Sequence, residues 1–200
     1  MVGLGARQIR NSIRILKKIP SLFKRDYDTG RVYDELEEGV GWVLLGEGIA
    51  TRKRDGKATM FRDGSVYKRY DAKHGKTPPS NFEPCQDPDP VTGHWPGWIP
   101  IEATGKADAP MREAFQGYPP DLANGTYEVC GPKINSDPEG FGEHFPVPHG
   151  AEELPGAPRS FTALMDWFSH EHMEGIVWHH PDGRMVKIKA RDFGLPWPAV

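Results

Sequence analysis

Cysteine is nearly absent: Cys85 and Cys130 are the only two in 200 residues, far apart and in no CxxC pair. That excludes a disulfide scaffold and a cysteine-rich zinc module, and free thiols in a reducing cytoplasm is the economical reading. No run approaches the ~20 apolar residues that a membrane helix needs. The N-terminus lacks the apolar stretch and small-residue cleavage site of a secretory signal. No internal repeat is visible, which removes solenoids and propellers. Eight histidines include no HExxH: Ser169-His170-Glu171-His172 has the wrong spacing and no cysteine beside it, so no zinc site is expected. The sequon Asn124-Gly125-Thr126 has no role in a cytoplasmic protein.

What is present fits one folded enzyme domain spanning 1–200. Hydrophobic residues make up 37% and charged residues 26%, with six Trp, a profile unlike that of disordered chains. The net charge of −3 conceals an asymmetry. Residues 1–25 carry seven Lys/Arg and no acid, and residues 51–76 carry nine against three Asp. Two basic segments in an otherwise acidic chain suit an anionic ligand such as phosphate or nucleic acid, although solvated faces account for charge alone equally well.

Residues 6–18 place Ile9, Ile13 and Leu16 at helical spacing among basic residues, so the first 25 read as a basic helical segment stopped at Pro20. From Gly41 the pattern turns to strands at Trp42–Leu45 and Gly48–Thr51. A hairpin follows over Lys57–Phe61 and Ser65–Arg69, around Asp63-Gly64. Ten of the twenty prolines fall in residues 77–121. This stretch reads as a packed loop insertion with sparse regular structure, in which Pro110 opens a helical turn. Thr126–Cys130 is a further strand. Ser160 caps a helix whose apolar stripe is Phe161, Leu164, Met165 and Phe168. A last hairpin runs Gly175–His179 and Arg184–Lys189 around Pro181-Asp182-Gly183. The class is α+β, mostly antiparallel sheets with flanking helices.

Four short signatures carry chemistry: Lys53-Arg54-Asp55-Gly56, Glu128 in a strand, Glu174-Gly175-Ile176-Val177, and Lys187-Ile188-Lys189. Each alone is weak, and a lone lysine is nearly always a surface charge. Their order and complementarity matter more. A lysine amine, with a pKa near ~10.4, becomes nucleophilic when neighbouring cations favour its neutral form. Attack on a nucleotide α-phosphate then gives a phosphoramidate and pyrophosphate. The charge that builds up calls for cations and a divalent metal. Alternation puts Lys187 and Lys189 on one strand face, where they repel unless an anion joins them. Glu174 heads the neighbouring strand and suits a metal. Glu128 projects opposite Tyr127 and Val129 and suits ribose hydroxyls.

The constellation resembles the covalent nucleotidyltransferase superfamily of DNA ligases, RNA ligases and capping enzymes. Lys53–Gly56 matches its motif I, Glu128 motif III, Glu174–Val177 motif IV, and Lys187–Lys189 motif V. Arg69, in Tyr67-Lys68-Arg69-Tyr70, falls at motif Ia. Closer still, Gly131-Pro-Lys-Ile-Asn135, Pro138-Glu-Gly-Phe-Gly142 and His144-Phe-Pro-Val-Pro-His-Gly150 resemble the auto-adenylating ATP-dependent 5′–3′ RNA ligase family. So do Lys18–Asp26 and Ala50-Thr51. Position 58 is Ala58 where DNA ligases usually carry arginine, and few residues follow Lys189 for an appended OB-fold.

The resemblance implies an adenylyltransferase (ATP-grasp-like) domain without an OB-fold. It further implies ATP, Mg²⁺ or Mn²⁺, AMP carried covalently on Lys53, and RNA with 5′-phosphate and 3′-hydroxyl ends as substrate. The implied catalytic residues are Lys53, Asp55, Lys187 and Lys189. Thr51, Arg69, Glu128, Phe145, Glu174 and Val177, together with the paired lysines, would bind nucleotide, Phe145 stacking on adenine with Val147 behind it. Glu174 and Asp55 would hold metal, Asp55 through water or instead by orienting Lys53. A cytoplasmic monomer is expected, with no membrane partner. Two alternatives stay open: a self-adenylating RNA-binding sensor with little sealing, and a capping-type guanylyltransferase.

Overall fold

The computed structural model describes residues 17–118 and 122–198; the expected N-terminal helix lies mostly outside them. In chain order the first strands are β1 Phe23–Arg25, β2 Val32–Leu36, β3 Ile49–Lys53, β4 Lys57–Arg62 and β5 Ser65–Ala72. Next come β6 Glu83–Pro84, β7 Trp95–Pro100, helix α1 Ala109–Phe115, β8 Gly125–Cys130 and β9 Phe145–Pro148. Helix α2 Phe161–His170, β10 Gly175–His179 and β11 Met185–Lys189 complete the order. The strands pair antiparallel throughout, and no closed barrel forms among the described residues. The fold is therefore α+β with mostly antiparallel sheets. The chain divides into two compact units, one built on Gly56–Pro148 and the other on Ile19–Asp55 with the chain from His149.

The Gly56–Pro148 unit is a six-stranded sheet in the order β6-β7-β5-β4-β8-β9. Asp63 and Gly64 both have positive φ, 50° and 78°, as a two-residue hairpin turn demands. One face buries Phe61, Tyr127 and Val129 beneath Met111, Ala114 and Phe115 of α1. Pro110 lies in the first turn of α1, where its missing N–H costs nothing. The other face packs Met60 with Trp98 and Cys85. Through the proline-rich segment runs β7, six residues paired with β5 along their length and with β6 at Gly97 and Trp98. Pro96 contributes to the sheet as acceptor only, its carbonyl taking the Cys85 N–H at 2.9 Å, which is how a strand tolerates proline.

The second unit carries a three-stranded sheet, β11-β10-β3. Its apolar face, Ala50, Ile176, Trp178, Val186 and Ile188, packs with Leu164 and Phe168 of α2 and with Leu22 and Phe23. Ile176 and Ile188 are fully buried, each contributing about 1.5–3 kcal/mol. Met165 is 42% exposed, at the edge of the α2 stripe rather than within it. Ser160 occupies the cap position without a side-chain bond to the helix. The strand expected at Trp42–Leu45 is a 3₁₀ turn at Gly41–Val43. Gly46 and Gly48 have φ of +88° and +73°, and a Cβ at Gly48 would stand 2.5 Å from the Trp42 ring. Trp42 is thus folded under its own loop, burying Trp42 and Val43 while exposing Leu44 and Leu45.

Candidate active site

In the three-stranded sheet, Gly175 of β10 is paired with Lys53 of β3 on one side and Lys189 of β11 on the other. Directly paired residues share a face in an antiparallel sheet, and so do residues two apart. Thr51 and Lys53, Gly175 and Val177, and Lys187 and Lys189 therefore line a single face, opposite the apolar core. A side chain at Gly175 would lie 2.2 Å from the Ile188 carbonyl oxygen, so the strands approach this closely only around glycine.

Glu174, just before β10, is 3% exposed. Its Oε2 accepts from Lys53 Nζ at 2.5 Å and its Oε1 from Lys189 Nζ at 2.8 Å. Lys53 Nζ also donates to the Arg54 carbonyl at 3.4 Å. Lys187 lies one pair further along the same face. Burial, then the charges of Lys189 and Lys53, push it down to about 8, against the opposing pull of Glu174 and Asp192. Three lysines around one buried carboxylate leave a surplus of positive charge. Such a surplus suits an anion, and burial with the neighbouring charges makes the Lys187 ammonium easier to deprotonate than a free one.

The flanking residues are held tightly. Arg52 and Arg54 both pair with Glu152, Arg52 at 3.8 Å. The Asp192 carboxylate accepts the Lys189 N–H at 3.0 Å and the Arg25 guanidinium at 2.5 Å. Asp55 accepts the Trp197 indole N–H at 2.9 Å, with Arg191 at 3.9 Å. The buried Thr51 hydroxyl donates to the Val177 carbonyl at 3.1 Å and lies 3.1 Å from His179 Nε2. With the hydroxyl proton committed, His179 is the donor there. Burial, reinforced by His149, pushes His179 down to about 4 and keeps it neutral.

The Gly56–Pro148 unit carries the other expected residues. Glu128 pairs with Ala58 on one side and Val147 on the other. Its Oε1 accepts the Gly56 N–H at 3.1 Å. A Cβ at Gly56 would meet the Val129 carbonyl at 2.3 Å, so the motif I glycine is required by this approach. Alternation along β4 and β5 sets Arg69 on the same sheet face as Glu128 and Met60. The Arg69 guanidinium lies 5.3 Å over Trp98 and donates to Cys85 Sγ at 3.3 Å. Burial lowers its pKa, against the raising influence of Cys85 and Asp71. Phe145 stacks on Phe141 at 5.9 Å and meets Tyr118 edge-on. Val147, not Phe145, is the residue paired with Glu128.

Sequence reasoning thus anticipates Lys53, Glu174, Lys187 and Lys189, which the structure brings together, and Arg69 with Glu128, which share a sheet face. It misses Trp197, Glu152 and His179. Alternation would have put His179 on the lysine face, whereas nothing local ties Trp197 to Asp55. No group of three or more His, Cys, Asp or Glu forms a metal cage among the described residues. Magnesium needs no such cage, since one carboxylate with substrate phosphates and water suffices. Glu174 fits that part once Lys53 and Lys189 release its oxygens.

Comparison with known proteins bears on this geometry. Residues 117–200 match the model of the RNA ligase 1 family. RNA ligase 1 of Danio rerio is 30% identical over 140 residues, 54% of this chain and 43% of the fish protein. RNA ligase 1 of Rattus norvegicus is 30% identical over 150 residues, 59% of this chain and 45% of the rat protein. The Pongo abelii protein of the same name is 30% identical over 138 residues. These matches support an RNA ligase family. The chain spans less than half the length of the relatives it matches.

Proposed function

We propose that this chain is the nucleotidyltransferase part of an ATP-dependent RNA ligase, with Lys53 as the nucleophile. The observation that carries the reading is the pair of lysines, Lys53 and Lys189, sharing the buried carboxylate of Glu174 with Lys187 alongside. The similarity to proteins named RNA ligase 1 supports the choice of substrate.

In the first step Lys53 Nζ attacks the α-phosphorus of ATP. The N–P bond forms, the P–O bond to pyrophosphate breaks with its electron pair leaving on oxygen, and the proton of the attacking amine passes to water. Lys187 and Lys189 meet the charge developing on the phosphoryl oxygens. A divalent magnesium ion, held by Glu174, would supply further charge neutralisation there. Transfer of AMP to a 5′-phosphate of RNA breaks the N–P bond and forms an anhydride. The 3′-hydroxyl of the second end then displaces AMP, forming the phosphodiester. Arg69 and Glu128 take the ribose role and Phe145, with Val147 behind it, the adenine role by resemblance, in a cytoplasmic monomer.

The test is incubation with α-labelled ATP or GTP and Mg²⁺, then denaturing electrophoresis, followed by nicked and stem-loop RNA bearing 5′-phosphate and 3′-hydroxyl ends. Label from ATP and sealed RNA are expected. Label without sealing of any substrate would favour a self-adenylating RNA-binding protein, and label from GTP a capping-type enzyme.

A further inference from the structure

Asp55 follows the proposed nucleophile by two residues, yet two contacts on its carboxylate come from the far end of the chain. Trp197 Nε1 donates to Asp55 Oδ2 at 2.9 Å across a sequence separation of 142 residues, and Arg191 stands 3.9 Å from the same oxygen. The Asp55 side chain is 15% exposed, so this charge-assisted bond is sheltered from the water that would otherwise compete for it. With Leu195 and Pro196, Trp197 lines a cavity of about 130 Å³, shared with Phe168, Met173 and Ala190. The segment reaching it leaves β11 directly after Lys189 through a 3₁₀ turn, Ala190–Phe193, of which Phe193 packs into the core. One stretch of chain therefore leads from the paired lysines back to the residues after Lys53.

This arrangement bears on the proposed reaction. Lys53 leaves β3 into Arg54 and Asp55, and each of these side chains has a fixed partner: Glu174 for Lys53, Glu152 for Arg54 and Trp197 for Asp55. Without the indole, Asp55 is a carboxylate two residues from a cationic amine. Losing that bond removes one of the contacts on this carboxylate, Arg191 at 3.9 Å being another, and lets it shift relative to the amine. Small displacements near a reacting group cost large factors in rate.

We infer that Trp197 is a positioning residue for lysyl-adenylate formation, acting by holding the Asp55 carboxylate. The inference rests on the functional reading above. Trp197→Phe keeps an aromatic ring on the cavity wall and removes the donor. In the full chain, single-turnover formation of the labelled protein is expected to slow by about tenfold, while half-saturation by ATP and the melting midpoint hold. In an Asp55→Ala background the same substitution should add nothing, because two residues acting through one contact are not additive. The indole N–H resonance of Trp197, identified by its loss in Trp197→Phe, should move in Asp55→Ala.

An unchanged rate in Trp197→Phe, or equal slowing with and without Asp55, overturns the inference while the functional reading stands. A parallel fall in rate and melting midpoint also overturns it, making Trp197 a packing residue only. Wild-type protein that takes label from no nucleotide overturns the functional reading, and the inference falls with it.

Discussion

Replacing Glu174 by Gln tests the lysine cluster as a piece of electrostatics, independently of any substrate. The carboxylate is 3% exposed and its two oxygens serve two ammonium groups, whose side chains are 21% and 26% exposed. Removing one partner from a fully buried ion pair costs about 3–5 kcal/mol, and water reaching the lysines reduces this to about 2–3. For a chain of this size that lowers the melting midpoint by roughly 5–10 °C at neutral pH. The loss also has a predicted pH dependence. Lys187 sits at about 8 in the fold against 10.5 ordinarily, so across that window the unfolded chain binds more protons and stability rises with pH. Glu174 is one of the groups holding Lys187 up, so in the variant Lys187 titrates below 8. The share of the destabilisation due to Lys187 repulsion then disappears once both proteins hold it neutral, at about pH 9 and above. Differential scanning calorimetry of both proteins between pH 6.5 and about 9.5 reads this directly. A midpoint within ~2 °C of wild type at pH 7, or a gap that does not narrow with pH, refutes the reasoning.

Two further perturbations probe the surroundings. His179, at about 4 in the fold against 6.5 ordinarily, binds fewer protons folded than unfolded between those values. Stability should therefore fall as pH drops through that window, by on the order of 2–3 kcal/mol in all. His179→Gln, which keeps a donor for Thr51, should flatten that acid limb in pH-dependent melting curves. Gly175→Ala places a methyl 2.2 Å from the Ile188 carbonyl oxygen. It should cost about 1–3 kcal/mol and abolish adenylylation, read by melting and by label uptake.

Much of the lysine face is legible from sequence because it is written in local periodicity. Lys187 and Lys189 alternate, Glu174 precedes a glycine at the start of a strand, and the Pro181-Asp182-Gly183 turn fixes the hairpin between them. Glu128 is legible for the same reason, flanked by two core residues. What sequence hides is set by tertiary contacts. The indole that holds Asp55 comes from 142 residues away, and the thiol facing Arg69 comes from Cys85, in the proline-rich segment, next to β7. Prolines suggest loop there, but a strand accepts them where only the carbonyl is needed. At Trp42 the aromatic and β-branched run imitates a strand. Its glycines, two with positive φ, turn it into a buried corner instead. Which residue stands across from Glu128 is hidden for a similar reason: only the β8–β9 pairing shows it to be Val147.

The most direct measurement of the central claim is the site of modification. Protein incubated with ATP and Mg²⁺ is digested, and its peptides are mapped by mass spectrometry, beside Lys53→Arg treated identically. The expected result is one peptide gaining the mass of an AMP group on Lys53, reversed by pyrophosphate and missing from the variant. AMP on Lys187, Lys189 or any other residue, or undiminished modification in Lys53→Arg, would contradict it.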